Sequence, residues 1–476
     1  MEKRLSKKQM KHLRESYQLK SDEELAREWQ TDSDTIQKAL KTMGLKRTKA
    51  EHRQVARIAE AESRKEIRVE AGRECLWTLL SLLSIIVVGA MVYSNTFNAS
   101  WHFDDSVVIT ENWALRDLGG RFADVFKGNR GVGYLTFALN YHFNKLDVTG
   151  YHVVNIAIHI VNAILVYFLV MLTMQTPAMS KNRLARHAHF LALASGLIFV
   201  SHPIQTQAVT YIAQRFTSLA ALFYLLSLVL FIKARLKTVQ GKSFLSPLHL
   251  VCYCLSLVSA FFAMHTKEIS FTLPVVIILY DFFFIDSSIA SLGKRIAYLL
   301  PFILTLVIIP VNTLDLFGKG GAKPLGDVIG EIREQVQETP LISRGDYLLT
   351  QFNVIVTYIR LLFLPMNQNL DYDYPIARAL FQFPTLVSFL FLLALFVLTV
   401  YLFIKGYRLI SFAIIWFFVT LSVESSIIPI RDVIYEHRVY LPSVGFGILM
   451  AIFLHEAGES FSQRFLRKTP VDRRSR

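Results

Sequence analysis

Ten long apolar runs, almost free of charged residues, constrain this chain more than any other feature of its sequence. At about 1.5 Å of rise per residue, a helix of about 20 such residues crosses the hydrocarbon core of a bilayer. Only helices and closed barrels satisfy their backbone hydrogen bonds in lipid, so the runs predict an all-α polytopic membrane protein. The predicted spans lie near 76–93, 153–174, 190–202, 216–232, 248–265, 269–285, 296–314, 383–404, 409–421 and 439–454.

The charged residues are concentrated at the two ends of the chain. Only 18% of the 476 residues are charged, against about 25% in ordinary soluble proteins. Residues 1–74 hold 19 Lys and Arg with 14 Asp and Glu, and residues 457–476 hold 6 and 2. Most of the net charge of +14 therefore lies in the tails, where the positive-inside rule accounts for it. No nucleic-acid partner is expected.

These charges predict three parts and an orientation. Residues 1–74 form a cytoplasmic helical module, 75–456 the transmembrane domain, and 457–476 a basic cytoplasmic tail. The basic loops follow even-numbered spans and share a side with both tails, which places both termini in the cytoplasm. One further apolar segment, 347–364, does not fit this orientation, because a crossing there would put the later basic loop and the C-terminal tail outside. It is predicted to be a re-entrant or interfacial helix within an external region, 315–382; if it crosses, the spans number eleven.

The N-terminal module has the pattern of three short helices, similar to a helix-turn-helix bundle. Ser21 with Glu24 predicts a capping box, and Ser33 is predicted to cap a further helix that ends near Gly44. Residues 50–74 alternate in charge without a wide apolar face, which predicts a solvated helix leading into the first span. A structural or protein-interaction role is favoured over DNA binding.

Conspicuous polar residues gather at the predicted outer ends of the spans. Ionisable groups at membrane depth are costly, and they commonly mark pathways or sites. A carboxylate there can accept a proton from a hydroxyl group, and cations can neutralise a phosphate. The candidate site residues are Asp104, Asp105, His202, Arg215, Lys267, Glu268, Glu436, His437 and Arg438.

Several of these residues also have a structural interpretation. Asp104 and Asp105 can cap a helix, Lys267 and Glu268 can form a local ion pair, and His202 precedes a proline that can end a helix. The second span carries a further polar stripe at i, i+4 and i+7, for which interhelical hydrogen bonding is the favoured interpretation. This stripe consists of Asn155, His159 and Asn162.

Five segments, taken in order, resemble the lipid-phosphate-dependent glycosyltransferases of the C-type fold (GT-C). The nearest resemblance is to the membrane half of the transmembrane and tetratricopeptide repeat-containing O-mannosyltransferases and their bacterial relatives. It covers roughly residues 76–456 and lacks the repeats. The segments are Phe103–Asn112, His202–Val209 with Arg215, Thr266–Glu268, Asn369–Tyr372 and Glu436–Phe446.

The resemblance implies a GT-C-like bundle that moves a sugar from a polyprenyl-phosphate donor in the membrane lipid to a hydroxyl acceptor on a protein or glycan. Transfer would occur on the extracytoplasmic side with inversion. The family's acidic base in the first external loop corresponds to Asp104 or Asp105. If the enzyme uses a divalent cation, these are also the residues that would hold it. Lys267, Arg215 and Arg438 would then lie near the donor phosphate.

The chain departs from the family pattern at two positions, and two other functions stay open. Gln207 stands where relatives often have Glu, and Arg130–Gly131 replaces an expected Arg-Pro pair. Without the repeats, another chain supplies the acceptor-binding part or the acceptor is smaller, and a bacterial inner membrane is the expected setting. The alternatives are a lipid-linked-sugar transporter or flippase, and a membrane sensor that signals through the N-terminal module. The one-sided distribution of polar residues favours the enzyme.

Overall fold

The computed structural model describes residues 5–17, 20, 22–45, 49–126, 128, 130–239, 246–288, 292–313, 341–430 and 432–466. Within these ranges the regular elements are helices and no strand occurs, which confirms the predicted all-α class. The chain divides into two compact units, Met1–Leu80 and Ser81–Arg476. Three predictions concern residues outside the described ranges: the cap Ser21, the first part of the external region, and the end of the basic tail.

The α-helices are numbered in chain order. They are α1 Lys7–Ser16, α2 Asp22–Glu28, α3 Ser33–Thr42, α4 Lys49–Val92, α5 Leu118–Ala123, α6 Gly131–Asn144, α7 Val148–Met174, α8 Ala188–Ser201, α9 Thr206–Thr210, α10 Arg215–Val239, α11 Pro247–Met264, α12 Leu273–Tyr280, α13 Leu292–Leu304, α14 Ile308–Thr313, α15 Arg344–Phe363, α16 Phe383–Ile404, α17 Arg408–Leu421 and α18 Ser443–Leu466. Shorter helical turns lie at Ser106–Thr110, Trp113–Arg116, Arg183–His187, Pro203–Gln205, Ile212–Gln214, Glu268–Thr272, Asp281–Ile285, Thr305–Val307 and Glu436–Val439.

The first unit contains a small three-helix core, as the sequence predicted. Helices α1, α2 and α3 pack Leu13, Leu25, Ile36 and Leu40 against one another. The solvated helix predicted to lead into the first span is the beginning of α4, which is continuous from Lys49 to Val92.

The cap of α3 is Asp32 rather than the predicted Ser33. The Asp32 carboxylate accepts the N–H of Thr35 at 2.6 Å, so Ser33 becomes the first helical residue. Asp and Ser cap helices about equally well, so the cap alone does not set the start of the helix. The predicted end at Gly44 is confirmed, since Gly44 adopts a left-handed backbone with φ of 68°.

Nine helical segments among the described residues are long and apolar enough to cross a membrane. A tenth, α17, is equally apolar but has 14 residues. All ten overlap the predicted spans, and the chain is an integral membrane protein. The nine segments are Arg68–Val92, Val148–Met174, Arg183–Ser201, Ile212–Thr238, Pro247–Met264, Glu268–Ile285, Arg295–Asn312, Phe383–Ile404 and Ser443–Gln463.

The polar stripe of α7 makes hydrogen bonds between helices, as predicted. Asn162 donates to the Ser218 carbonyl at 2.8 Å and to the Tyr440 hydroxyl oxygen at 2.9 Å. His159 Nδ1 lies 2.7 Å from the same Tyr440 oxygen. Asn155 is also fully buried and binds the backbone before α10. The stripe therefore fixes how α7 packs rather than lining a path.

Helix α15 lies along one end of the second unit. Its first turn contacts the connection after α17, because the Tyr347 hydroxyl donates to the Glu424 carbonyl at 3.3 Å. At its last turn the Leu362 carbonyl is 2.8 Å from His202 Nε2, just after α8. Helices α8 and α17 both finish at this end, and α18 begins there; we call it the site end. A crossing helix would have its termini at opposite ends, so these contacts support the interfacial interpretation.

Candidate functional site

The Asp105 carboxylate links the connection after α4 to the turn before α10 through hydrogen bonds. Its Oδ1 accepts the N–H of Ala213 at 2.7 Å, and its Oδ2 accepts the N–H of His102 at 3.0 Å. The side chain is 1% exposed. Burial raises the pKa of Asp105 to about 6, and the two N–H bonds oppose that shift. Both carboxylate oxygens are thus turned toward the backbone rather than toward a second ligand.

Asp104 differs from its neighbour because its side chain is exposed at the site end. Its backbone N–H donates to the Tyr211 hydroxyl oxygen at 2.8 Å, which holds this residue beside α9. Burial raises the pKa of Tyr211, so that side chain stays a neutral phenol. Of the two adjacent aspartates, only Asp104 presents its carboxylate to an approaching substrate.

His437 is a neutral histidine with a defined tautomer. Gln207 Oε1 accepts the backbone N–H of His437 at 2.6 Å and lies 3.1 Å from His437 Nδ1. The Gln207 amide donates to the Leu370 carbonyl at 3.0 Å, which fixes which atom of the amide faces His437. Nδ1 must therefore carry the hydrogen, and Nε2 is the acceptor. Burial lowers the pKa of His437 well below its usual value, and the charges of Lys267 and Arg438 lower it further.

Lys267 is a buried cation in the middle of this region. Its Nζ lies 2.8 Å from Glu424 Oε1 and donates to Thr217 Oγ1 at 2.8 Å. Burial lowers the pKa of Lys267, and the attraction of Glu424 opposes the shift. The ammonium group therefore depends on Glu424 for its charge in this buried position.

Two arginines add to the positive charge. Arg438 is buried and donates to the carbonyls of Asp432 at 2.7 Å and Val433 at 3.1 Å. Arg130 pairs with Glu268, with Arg130 Nη2 at 3.2 Å from Glu268 Oε2, and Glu268 raises the pKa of Arg130. Glu424 lies between Lys267 and Arg438, because its carboxylate pairs with Lys267 and its carbonyl is 3.5 Å from Arg438 Nη1. The charges of all three cations lower the pKa of His437.

Tyr435 lies beside His437 and Arg438. Its ring stacks on His437, with the ring centroids 5.1 Å apart. Burial raises the pKa of Tyr435 to about 12, and the negative charges of Asp432, Asp371 and Asp104 add to that shift. Tyr435 therefore stays a neutral phenol beside His437.

Glu436 holds another of the sequence segments in place. Its Oε1 accepts the Asn369 N–H at 2.8 Å and the Tyr372 O–H at 2.5 Å, and its Oε2 accepts the Gln368 amide at 2.6 Å. All these bonds go to the connection between α15 and α16. Glu436 therefore orders the wall of the site and is not directed at its centre.

His202 acts as a helix cap at the site end. Its Nδ1 accepts the N–H of Ile204 at 3.1 Å, and its Nε2 lies 2.8 Å from the Leu362 carbonyl. Burial lowers the pKa of His202, in keeping with a neutral ring that uses both nitrogens. The hydrogen bonds of His202 therefore hold the end of α8 against the last turn of α15.

Arg215 is fully buried and is surrounded by protein acceptors. Its guanidinium donates to the side-chain oxygen of Asn155 at 2.6 Å and of Asn140 at 2.5 Å. A third bond goes to the Tyr151 carbonyl at 3.1 Å. The guanidinium carbon lies 4.4 Å from the centroid of the Phe137 ring. The arginine ties α6, α7 and α10 together, and it is not brought to the surface that carries Asp104.

Three residues of the site were not among the sequence candidates. Glu424 follows the apolar run of α17 as an isolated carboxylate, and that position was its only sequence signal. Arg130 was noticed only because glycine follows it in place of proline. Thr217 gave no signal, since a threonine within an apolar helix is common.

Comparison with known proteins shows a partial relationship to protein O-mannosyl-transferases of animals. The chain is 32% identical over 160 residues to the tmtc2 enzyme of Xenopus laevis, which covers 31% of this chain and 18% of that protein. It is 29% identical over 171 residues to the F38B6.6 enzyme of Caenorhabditis elegans, covering 33% and 23%. It is 30% identical over 161 residues to human TMTC2, covering 31% and 18%.

These matches confirm the resemblance that the five segments indicated. The chain spans about a fifth of the length of the relatives it matches. No family model and no solved structure matches it.

Proposed function

We propose that this protein is an integral-membrane glycosyltransferase that moves a sugar from a polyprenyl-phosphate donor to a hydroxyl acceptor. Its relatives are named protein O-mannosyl-transferases, which supports sugar transfer to a hydroxyl group of a protein. The observation that carries the proposal is the exposed carboxylate of Asp104 at the same end of the bundle as three cations, Lys267, Arg438 and Arg130.

Asp104 is the general base of the proposed reaction. Its carboxylate takes the proton of the acceptor hydroxyl while that oxygen forms a bond to the anomeric carbon of the sugar. The bond between this carbon and the phosphate oxygen breaks, and its electron pair leaves with polyprenyl phosphate. Attack from the side opposite the leaving group inverts the anomeric configuration.

Asp105 positions the base rather than acting as one. Its two oxygens accept the N–H groups of Ala213 and His102, and the buried side chain is not open to an acceptor hydroxyl. Asp104 next to it has its backbone fixed by Tyr211 and its side chain exposed. This arrangement supports a rigid loop that carries one reactive carboxylate.

The cations compensate the charge that develops on the leaving phosphate. Charge interactions are stronger in a buried, water-poor environment than in water, so fixed cations there contribute more to the transition state. Lys267 and Arg438 are suited to this role because both contact Glu424, and Arg130 because it pairs with Glu268 next to Lys267. We assign Arg215 a structural role, because its hydrogen bonds already go to protein oxygens.

We place the site end outside the cytoplasm of a bacterial inner membrane, with both tails inside, on the basis of the basic loops. Single cysteines at Tyr407 and Asp373, introduced after removal of the native cysteines, test this. Both positions are exposed and should react with a membrane-impermeant thiol reagent from opposite sides. Reaction of both from the same side contradicts the orientation.

Turnover by purified protein with a panel of polyprenyl-phosphate sugars tests the chemistry, with release of polyprenyl phosphate as the readout. Asp104→Asn should lower turnover by about 10²- to 10⁴-fold with little change in melting temperature, because a general base is lost at an exposed position. Glu111→Gln is the matched control: it removes an exposed carboxylate from the same loop and should keep turnover.

Wild-type turnover in Asp104→Asn contradicts the assignment of the base. Movement of the lipid-linked sugar across liposomes, without release of polyprenyl phosphate from any donor, identifies a transporter instead.

A further inference from the structure

A second group of reactive side chains lies at the end of the bundle opposite the site end. It consists of His187, His455 and Glu459, and we call it the His187 cluster. Helix α8 starts directly after His187 and runs toward the site end, and α18 runs back from the site end past His455. Thirteen residues of helix separate the two regions, which is about 20 Å. The cluster therefore takes no part in the proposed sugar transfer.

The donor atoms of the cluster are spaced as one small cation requires. One ligand atom from each residue lies within 4.8 Å of the other two. His187 Nε2 and His455 Nε2 are each 3.5 Å from Glu459 Oε1. Donors bound to one tetrahedral Zn²⁺ at about 2.0–2.1 Å are separated by about 3.4 Å. The side chains therefore need only small movements to share an ion.

His455 gives an independent indication of a missing ligand. Its side chain is 7% exposed, and its Nε2 is buried without a hydrogen-bond partner. A buried polar atom without a partner costs free energy, and native proteins seldom leave one unexplained. The orphaned nitrogen faces Glu459, so an ion between them would satisfy it.

The helices and a neighbouring arginine already orient the ligands. His455 and Glu459 are four residues apart on α18 and so share a face of that helix. Arg183 pairs with Glu459 Oε2 and with Glu456, which leaves Glu459 Oε1 directed at the two histidines. Groups that hold ligands in this way are a usual feature of metal sites.

We propose that the His187 cluster binds a divalent transition-metal ion, with Zn²⁺ as the best fit. Two imidazoles and one carboxylate are a common zinc ligand set, and a water molecule can complete the tetrahedron. Ca²⁺ and Mg²⁺ prefer oxygen ligands, which makes them poor candidates. The ion links the turn before α8 to α18 and stabilises that end of the bundle.

Metal binding to the full-length protein without a polyhistidine tag tests the proposal. Co²⁺ serves as the spectroscopic probe, since a tetrahedral site gives it characteristic visible absorption that Zn²⁺ should abolish by displacement. We expect one such Co²⁺ per chain. His187→Gln and His455→Gln should each weaken Zn²⁺ binding by more than about 100-fold, because losing a ligand exceeds the 10- to 100-fold cost of losing an outer partner.

His142→Gln is the matched control, because it removes an exposed histidine elsewhere and should keep the Co²⁺ spectrum. Zn²⁺ should raise the melting temperature of the wild type and this control, but not of the two ligand variants. Glu459→Gln provides a third ligand variant if a histidine variant does not fold. Absence of the tetrahedral spectrum in the wild type, or its persistence in the ligand variants, overturns the proposal and leaves a histidine–carboxylate contact.

Discussion

Replacing Asp105 with asparagine separates the two forces that act on this buried carboxylate. Burial penalises the ionised form, whereas the N–H groups of Ala213 and His102 favour it. Because the pKa of Asp105 rises from 3.8 to about 6, the burial contribution is the larger one. An asparagine side chain has nearly the shape of the neutral carboxylic acid and carries no charge. It therefore mimics the neutral form of Asp105, except that its NH₂ group cannot accept one of the two backbone N–H bonds.

The pKa shift sets the size of the effect. A shift of about two units corresponds to about 3 kcal/mol. Between pH 4 and pH 6 the folded protein binds more protons at Asp105 than the unfolded chain does, so wild-type stability falls as the pH rises through this window. The loss is complete above pH 6. Asp105→Asn has no proton to release, so it should gain up to about 3 kcal/mol relative to the wild type between pH 4 and pH 7. Against this stands a pH-independent cost of about 1–3 kcal/mol for the backbone N–H that meets its amide NH₂ group.

Melting curves of the purified protein in detergent measure this difference at intervals from pH 4 to pH 8. Between pH 4 and pH 7 the melting temperature of the variant should rise by several degrees relative to that of the wild type. Glu111→Gln, which changes an exposed carboxylate in the same loop, should follow the wild type throughout. Because Asp105 positions the loop, turnover of Asp105→Asn should exceed that of Asp104→Asn.

A melting-temperature difference that does not vary with pH would refute this reasoning. So would a melting temperature of the variant that falls relative to the wild type between pH 4 and pH 7, since the pKa of Asp105 in the folded protein would then lie below its ordinary value.

Three further substitutions probe the packing around the site. Gln207→Glu puts a carboxylate beside Nδ1 of His437 and should raise the pKa of that ring, which an NMR titration of labelled histidine measures. Glu436→Ala removes the acceptor that orders the connection between α15 and α16, so it should cost about 1–3 kcal/mol and make that connection sensitive to limited proteolysis. Gly445→Leu should lower the melting temperature, because even a Cβ atom there would lie 2.3 Å from the Ala413 carbonyl oxygen, where α17 and α18 meet.

The membrane helices were predictable because lipid leaves the backbone few alternatives. A long apolar run must satisfy its own hydrogen bonds, so the run itself specifies a helix and its approximate length. The stripe at Asn155, His159 and Asn162 was interpretable for the same reason, since polar groups on a buried helix must bond to other helices. The location of helix α15 could be assigned only from the contacts at its two ends, because its charged residues are compatible with more than one location relative to the membrane.

The division of roles within the site could not be predicted, since it depends on partners far along the chain. Asp104 and Asp105 are identical residues in adjacent positions, and what distinguishes them is the burial of Asp105 and its bonds to the N–H groups of Ala213 and His102. Arg215 and Lys267 both stand near span ends, yet Arg215 is satisfied by asparagine side chains 60 and 75 residues away. The spacing of residues in the sequence does not indicate such contacts.

In the proposed reaction, the different partners of the three cations divide the work of binding a donor phosphate. Lys267 is paired with Glu424, and Arg130 is paired with Glu268. Each pair therefore has little net charge until its carboxylate moves away from the cation. Arg438 donates to backbone carbonyls, which orient its guanidinium without cancelling its charge. The first attraction for the phosphate therefore falls to Arg438. Lys267 contributes most as the leaving group gains charge, when its attraction to phosphate competes with its attraction to Glu424.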